Sequence, residues 1–256
     1  MFKPKTEDYS QIKNLKFIDL FAGIGGFHLA LASFKAKCVF VSEWDKHAQV
    51  VYKSNFGIEP FGDITKINEQ EIPRHEIICG GFPCQAFSIS GKQKGFEDSR
   101  GTLFFDIARI ASFHKPKILL LENVFNFEKH DNGRTLKTVL SVLENIGYDT
   151  YFKVLDASKF GVPQIRKRIY FVCFKKDLKV KNFSFPQPLE NIKPLKYFLE
   201  DKDKTGQYLI KKERLKNLRI QKKDICVKPL SLFPAQTELS SVRIGTINKG
   251  GQGDRV

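Results

Sequence analysis

Apolar and polar positions follow two alternating periods along the first two thirds of the chain. Short runs rich in Ile, Val, Leu and Phe, at Leu15–Phe21, Lys37–Val41, Glu76–Cys79, Ile118–Leu121, Tyr148–Leu155 and Ile169–Phe174, read as strands. Between them Gly26–Phe34, Asp45–Phe56, Leu103–Phe113 and Thr135–Asn145 have helical spacing, and a further strand is expected before the turn Gly62-Asp63-Ile64. Strand and helix in alternation predict an α/β fold with a doubly wound, mostly parallel sheet, whose ligands lie at the carboxyl ends of its strands. After Phe185 the pattern decays: Pro186, Pro188 and Pro194 interrupt it and lysines accumulate. The expected organisation is one α/β domain over residues 1–185 and a smaller region over 186–256.

With 256 residues, 41% of them hydrophobic, the chain can bury a core. No stretch reaches the roughly 20 apolar residues of a spanning helix, and Met1–Asn14 is too polar for a secretory signal, so a cytoplasmic protein without membrane contact is expected. Five cysteines without C-x-x-C or Cys/His ligand spacing predict reduced thiols and no metal.

Charge changes the picture further. The net +15 is divided unevenly, with +1 on residues 1–150 and +14 on residues 151–256. Lys202–Lys228 alone has ten basic and three acidic residues. Such a run can be a mere solvated face, but a field of this size beside a neutral half favours a polyanionic partner, because binding phosphates releases condensed counterions.

Candidate chemistry clusters where strands end. The first strand runs into Asp19-Leu20-Phe21-Ala22-Gly23-Ile24-Gly25-Gly26, a glycine turn that a ligand can approach closely, and Glu43 ends the next strand where an acid can bind ribose hydroxyls. The G-x-G-G spacing lacks the third glycine of the dinucleotide fingerprint, which speaks against a nicotinamide-dependent oxidoreductase. Trp44, the lone tryptophan, either stacks on a purine or is an ordinary core aromatic; Asp63 either meets an exocyclic amine or belongs to a common turn.

Cys38, Cys79 and Cys173 fall within apolar strands as core thiols, whereas Cys84 follows a strand end in the turn Gly80-Gly81-Phe82-Pro83, where a thiol can be exposed and nucleophilic. The polar segment Ser88–Arg100, with Gly91 and Gly95, has the makeup of a mobile lid. Glu122 ends the strand expected beside that of Cys84, where it is either a partner over a shared pocket or a surface carboxylate. Arg166 and Arg168, before the last apolar strand, alternate onto one side.

Phe-Ala-Gly-Ile-Gly-Gly, Gly-Phe-Pro-Cys-Gln, Glu-Asn-Val and Gln-x-Arg-x-Arg, in this order and spacing, resemble the DNA cytosine-5 methyltransferases, and among them the HhaI-type modification enzymes of restriction-modification systems that act on GCGC. The likeness is strong to about Phe174 and patchier after it. It implies a Rossmann-like methyltransferase fold, with a partial target-recognition region over 186–256. It also implies S-adenosylmethionine as cofactor, held by Phe21, Ala22, Gly23, Gly25, Glu43, Trp44, Asp63, Ile64 and Pro83. Cys84 would add to C6 of a flipped-out cytosine, Glu122 would act on N3, and Arg166 and Arg168 would hold the base oxygen and the thiolate. Ser90, Arg100 and Gln252 would meet double-stranded DNA, with Gln252 entering the vacated space.

One departure stands out. The family closes with a Gly-Asn-Ser-Val-like segment and a helix beside the first strand, and no segment here matches them. The resemblance therefore implies either an otherwise monomeric enzyme completed by a C-terminal complementing polypeptide, or a truncated DNA-binding remnant. A transfer RNA cytosine methyltransferase is the weaker enzymatic rival, given the Gly-rich, Gln-bearing terminal segment.

Overall fold

A computed structural model describes residues 13–83, 103–190, 192–199, 247–249 and 252–254. Its elements are β1 (Lys16–Leu20), α1 (Gly26–Ser33), β2 (Lys37–Ser42), α2 (Lys46–Phe56), β3 (Ile77–Gly81), α3 (Leu103–His114), β4 (Ile118–Val124), α4 (Arg134–Asn145), β5 (Tyr148–Asp156), β6 (Lys167–Lys175), β7 (Ile247–Lys249) and β8 (Gln252–Asp254). Among the described residues no helix is long and apolar enough to cross a membrane.

Six strands form one sheet in the order β2-β1-β3-β4-β6-β5. β1 pairs in parallel with β2 and β3, β3 in parallel with β4, and β6 runs antiparallel to β4. The strand expected before Gly62 is absent among the described residues: Phe61 makes only an isolated parallel bridge to Ser42. Pro60, immediately before it, has no N–H to offer a ladder, so β2 is left as an edge strand with a single bonded neighbour beyond it.

The period of two sorts each strand's side chains onto opposite faces. Ile18, Leu20, Ile78, Leu119 and Leu121 pack with Phe104, Ile107 and Ile110 of α3 and Val139 and Leu143 of α4. On the other face Phe17, Ile77 and Cys79 pack with Leu31 of α1, and Val41 packs with Tyr52 of α2. Helices thus cover both faces, and a strand such as β1 is buried at every position after Lys16.

Local chemistry sets the ends of α2. Asp45 accepts the Ala48 N–H at 2.7 Å, and Gly57, at φ +69°, closes the helix through its N–H to Lys53 O at 2.8 Å.

The chain divides into two compact units, residues 1–154 with 168–185, and residues 155–167 with 186–256. In the second unit β7 and β8 form an antiparallel pair, with Lys249 opposite Gln252.

Candidate active site

In the order β2-β1-β3 the chain reverses direction across the sheet at β1, and such a switch point opens a crevice at the strands' carboxyl ends. A cleft of about 460 Å³ lies there, lined by Phe21 after β1, Ser42, Glu43 and Trp44 at the end of β2, Gly81 and Pro83 at the end of β3, Leu103 of α3, and the turn Asp63-Ile64-Thr65. Six of the nine residues expected to hold a cofactor therefore share one cavity.

Backbone amides aim Glu43. Its two carboxylate oxygens each accept one, from Gly23 at 2.7 Å and from Asp45 at 2.8 Å, while its main-chain carbonyl accepts the Gln49 side-chain amide. Each oxygen keeps a further lone pair for a ligand hydroxyl. Phe21 sits at φ +54°, a left-handed conformation costly for a bulky residue, and its ring lines the cleft. Trp44 is 78% exposed at the same cavity, so it is not a core aromatic. Asp63 Oδ1 accepts the Thr65 hydroxyl at 2.8 Å and its N–H at 3.1 Å, and these bonds hold its carboxyl below the usual carboxylate range.

The glycine turn is built for two purposes. Gly23 has open space around its α-carbon and gives its N–H to Glu43. Gly25 is enclosed: a Cβ there would lie 2.1 Å from the Phe56 ring, and its φ is +93°. Ala22 is buried and bonds through its N–H to Ser42 O at 3.1 Å, which ties the turn to β2.

Beside the cleft, Glu122 stands opposite Gly81 in the β3–β4 register, and a Cβ on Gly81 would come within 3.2 Å of its Oε2. The absent side chain lets the carboxylate lie over β3's end. Arg168 donates from Nε to Glu122 Oε1 at 2.8 Å, and both side chains are about one-fifth exposed. The sequence reading did not name that pairing. It arises because β6 starts at Lys167 and runs antiparallel to β4, bringing Arg168 opposite Val124. Buried Asn123 spans to the β3 exit, donating to Phe82 O at 2.9 Å, two residues before Cys84.

The family model for C-5 cytosine-specific DNA methylase matches residues 15–245. The chain belongs to that family. It is 52% identical over 246 residues to the type II methyltransferase M.HhaI of Haemophilus parahaemolyticus, covering 96% of this chain and 72% of that one. With the type II methyltransferase M.HpaII of Haemophilus parainfluenzae it shares 48% over 226 residues, 87% of this chain and 63% of that one. The crystal structure of S. pombe Dnmt2 methyltransferase superposes with a TM-score of 0.66 at 23% identity, over 91% of this chain and 72% of that one, a likeness of fold.

Within this family member, the remaining expected residues fall as follows. Cys84, Ser90 and Arg100 lie outside the described residues, as does Lys202–Lys228. Arg166 belongs to the second compact unit, is exposed, and has its main chain bonded to Asp156 Oδ1 and to Ala157 N–H. Gln252 opens β8. Of the expected core thiols Cys79 and Cys173 are buried and Cys38 is only partly so; burial raises Cys38 to about 11 and Cys173 to about 12, and lifts Cys79 well above the ordinary thiol value.

Sequence reasoning passed over Ser42, Thr65, Gly81 and Leu103 as lining residues. Thr65 carried a signal, since Asp-x-Thr is the pattern of a side-chain-to-backbone turn, and Gly81 stood in the strand-end turn before Cys84. It also passed over Asp19, fully buried, whose carboxyl oxygens complete no hydrogen bond among the described residues. Burial raises that carboxyl to about 8, and the Glu43 charge adds to the shift.

Proposed function

We propose that this chain methylates C5 of a cytosine flipped out of duplex DNA, within GCGC, as the modification arm of a restriction-modification system, with S-adenosylmethionine as cofactor. The observation that carries this reading is the switch-point cleft and its donor set, with the Glu122 carboxylate against Gly81 at its edge. The cleft residues suit the cofactor. Glu43 offers paired lone pairs to two ribose hydroxyls, Trp44 and Ile64 offer flat and apolar surface to a purine, and ionised Asp63 accepts from an exocyclic amine. Phe21 and Pro83 complete the wall, with Ala22, Gly23 and Gly25 shaping the turn.

S-adenosylmethionine, when bound, supplies the methyl group. The rest falls to the chain. Cytosine C5 is a poor nucleophile until aromaticity is broken, so the Cys84 thiolate adds to C6 while Glu122 hydrogen-bonds or protonates N3. The electron pair of the C5–C6 bond then becomes available at C5 for the incoming methyl. Loss of the C5 proton and elimination of Cys84 restore the ring. Arg168 keeps the Glu122 carboxylate aimed, and Arg166 is assigned to the base oxygen or the thiolate. None of this can occur inside a stacked duplex, and flipping the base costs a few kcal/mol. Ser90, Arg100 and Gln252 are assigned to the DNA on either side of the vacated position.

Two variants test the reading. Cys84→Ser and Glu122→Gln should each lower methyl transfer to a GCGC duplex by about 10²-fold or more, the scale of a lost nucleophile or acid. Both should retain S-adenosylhomocysteine binding, read by the fluorescence of Trp44. Since the matched region spans 72% of M.HhaI, transfer is read for the chain alone and with the unmatched remainder of that protein added. Unimpaired transfer by either variant, or absence of ligand binding by the wild type, overturns the proposal.

A further inference from the structure

Arg109 projects from α3, which also lines the cleft through Leu103 at its start. Its guanidinium makes four hydrogen bonds. Nε donates to Asp106 Oδ1 at 2.9 Å, Nη1 to Glu69 Oε2 at 2.7 Å, and Nη2 to the main-chain carbonyls of Ile64 at 2.7 Å and Ile67 at 2.9 Å. Farther along the same helix, His114 Nε2 donates to the Glu69 carbonyl at 2.8 Å.

Apart from that grip, the segment from Asp63 to Glu69 is anchored by the burial of Ile64 in the core and by short local bonds. Its turn is closed by Lys66 N–H to Asp63 O at 3.1 Å and Ile67 N–H to Ile64 O at 3.2 Å, together with the Thr65 bonds to Asp63 Oδ1, and the nearby Lys66–Asp63 ion pair is exposed. Yet this segment forms the cleft wall of Asp63, Ile64 and Thr65. A wall made of a short polar turn recognises a ligand amine only if the carboxylate is held at one position, because a movable acceptor rewards wrong ligands almost as well.

We propose that Arg109 is a positioning residue for ligand discrimination: it clamps the Asp63–Thr65 turn onto α3 so that the cleft distinguishes a purine bearing an exocyclic amine from one bearing an oxo group. The chemistry matches the role. A planar guanidinium delivers donors in three directions at once, to two carbonyls and two carboxylates, whereas a lysine ammonium at the end of a flexible stem cannot reproduce that fork. The two carboxylates more than neutralise the single cation, and at 29% exposure the group is sheltered enough for these bonds to count. The inference rests on the cofactor reading of the cleft: specificity for the ligand's amine is set from behind the wall by a residue outside the cavity lining.

Trp44, the lone tryptophan and exposed at the cleft, provides a readout independent of turnover. Wild type and Arg109→Lys are titrated with S-adenosylhomocysteine and with S-inosylhomocysteine, its counterpart with an oxo group in place of the amine, and melting temperatures are measured alongside. Wild type should prefer the adenine ligand. Arg109→Lys should weaken that ligand by about tenfold, the scale of one charge-assisted hydrogen bond, and change the inosine ligand by less than about twofold, so that the preference collapses. An equal loss for both ligands, or none, reduces Arg109 to a structural tie and overturns the inference alone. Absence of binding by wild type overturns the cofactor reading, and the inference with it. If Arg109→Lys fails to fold, Glu69→Ala, which removes one of the carboxylates steering the guanidinium, is read in the same way and should lower the preference by about threefold; an unchanged preference overturns the proposal.

Discussion

Two buried ionisable residues give the protein opposing responses to pH. His75 donates from Nδ1 to Pro73 O at 2.7 Å, its Nε2 is buried without a hydrogen-bond partner among the described residues, and burial lowers its pKa to about 4. Its neutral form is the folded one. The unfolded chain binds the extra proton below about pH 6.5, so this term makes stability rise between pH 4 and 6.5, by up to about 3 kcal/mol. Asp19, raised to about 8, acts with the reverse sign: the folded state holds a proton that the unfolded state has lost above pH 4, so stability falls as pH rises from 4 to 8. The windows overlap below pH 6.5 and leave Asp19 alone above it. Urea midpoints should therefore decline from pH 6.5 to 8 in the wild type, by about 2 kcal/mol from this residue, and Asp19→Asn should remove that decline. His75→Asn, which keeps a donor for Pro73 but cannot titrate, should weaken the rise below pH 6.5, where His28, also lowered by burial, still opposes Asp19. A parallel response in wild type and both variants would show that neither group titrates in the folded protein as described.

The turn between β1 and α1 shows how one short element serves packing and binding together. Gly25 admits the Phe56 ring, which stacks on His28 at 4.0 Å, and the His28 Nδ1 in turn bonds the Tyr52 hydroxyl at 2.6 Å. Gly25→Ala must displace that ring and also adopt a left-handed φ, so a loss of about 2–4 kcal/mol in urea unfolding is expected. Gly23→Ala, with φ +54° but open space, should lose only about 1 kcal/mol. Its effect should appear instead in cofactor affinity, since a side chain pushes this residue away from its left-handed φ and so shifts the N–H that orients Glu43. Equal losses at the two glycines would contradict this division of labour.

At the scale of the whole chain, the +14 on residues 151–256 beside the nearly neutral remainder predicts a strongly salt-dependent contact with duplex DNA. The logarithm of affinity should fall linearly with the logarithm of salt concentration, with a slope of about −0.9 for each phosphate neutralised. Filter binding or anisotropy between low and moderate salt provides the slope; a nearly flat line would make Lys202–Lys228 a solvated surface and remove it from the DNA contact.

Periodicity determined the fold class, the six strands and the four principal helices, because apolar spacing reports burial directly and each of these segments is long enough to show its period. It failed before Gly62, where Pro60 and two glycines surround a stretch too short to ladder, and only a bridge to β2 forms. Of the residues that line the cleft, motifs at strand ends singled out Phe21, Glu43 and Trp44 one by one, and a turn sequence singled out Asp63. Local sequence contains no information about which strand ends become neighbours. Strand order alone brought β1, β2 and β3 around one cleft, and the antiparallel return of β6 alone placed Arg168 on Glu122. Likewise Arg109 reads as an ordinary helix cation until α3 packs beside the turn it grips, and Asp19 as one letter of a motif until burial strips it of water. Composition and period are properties of a segment, whereas pairing, desolvation and alignment depend on contacts between segments distant in the chain.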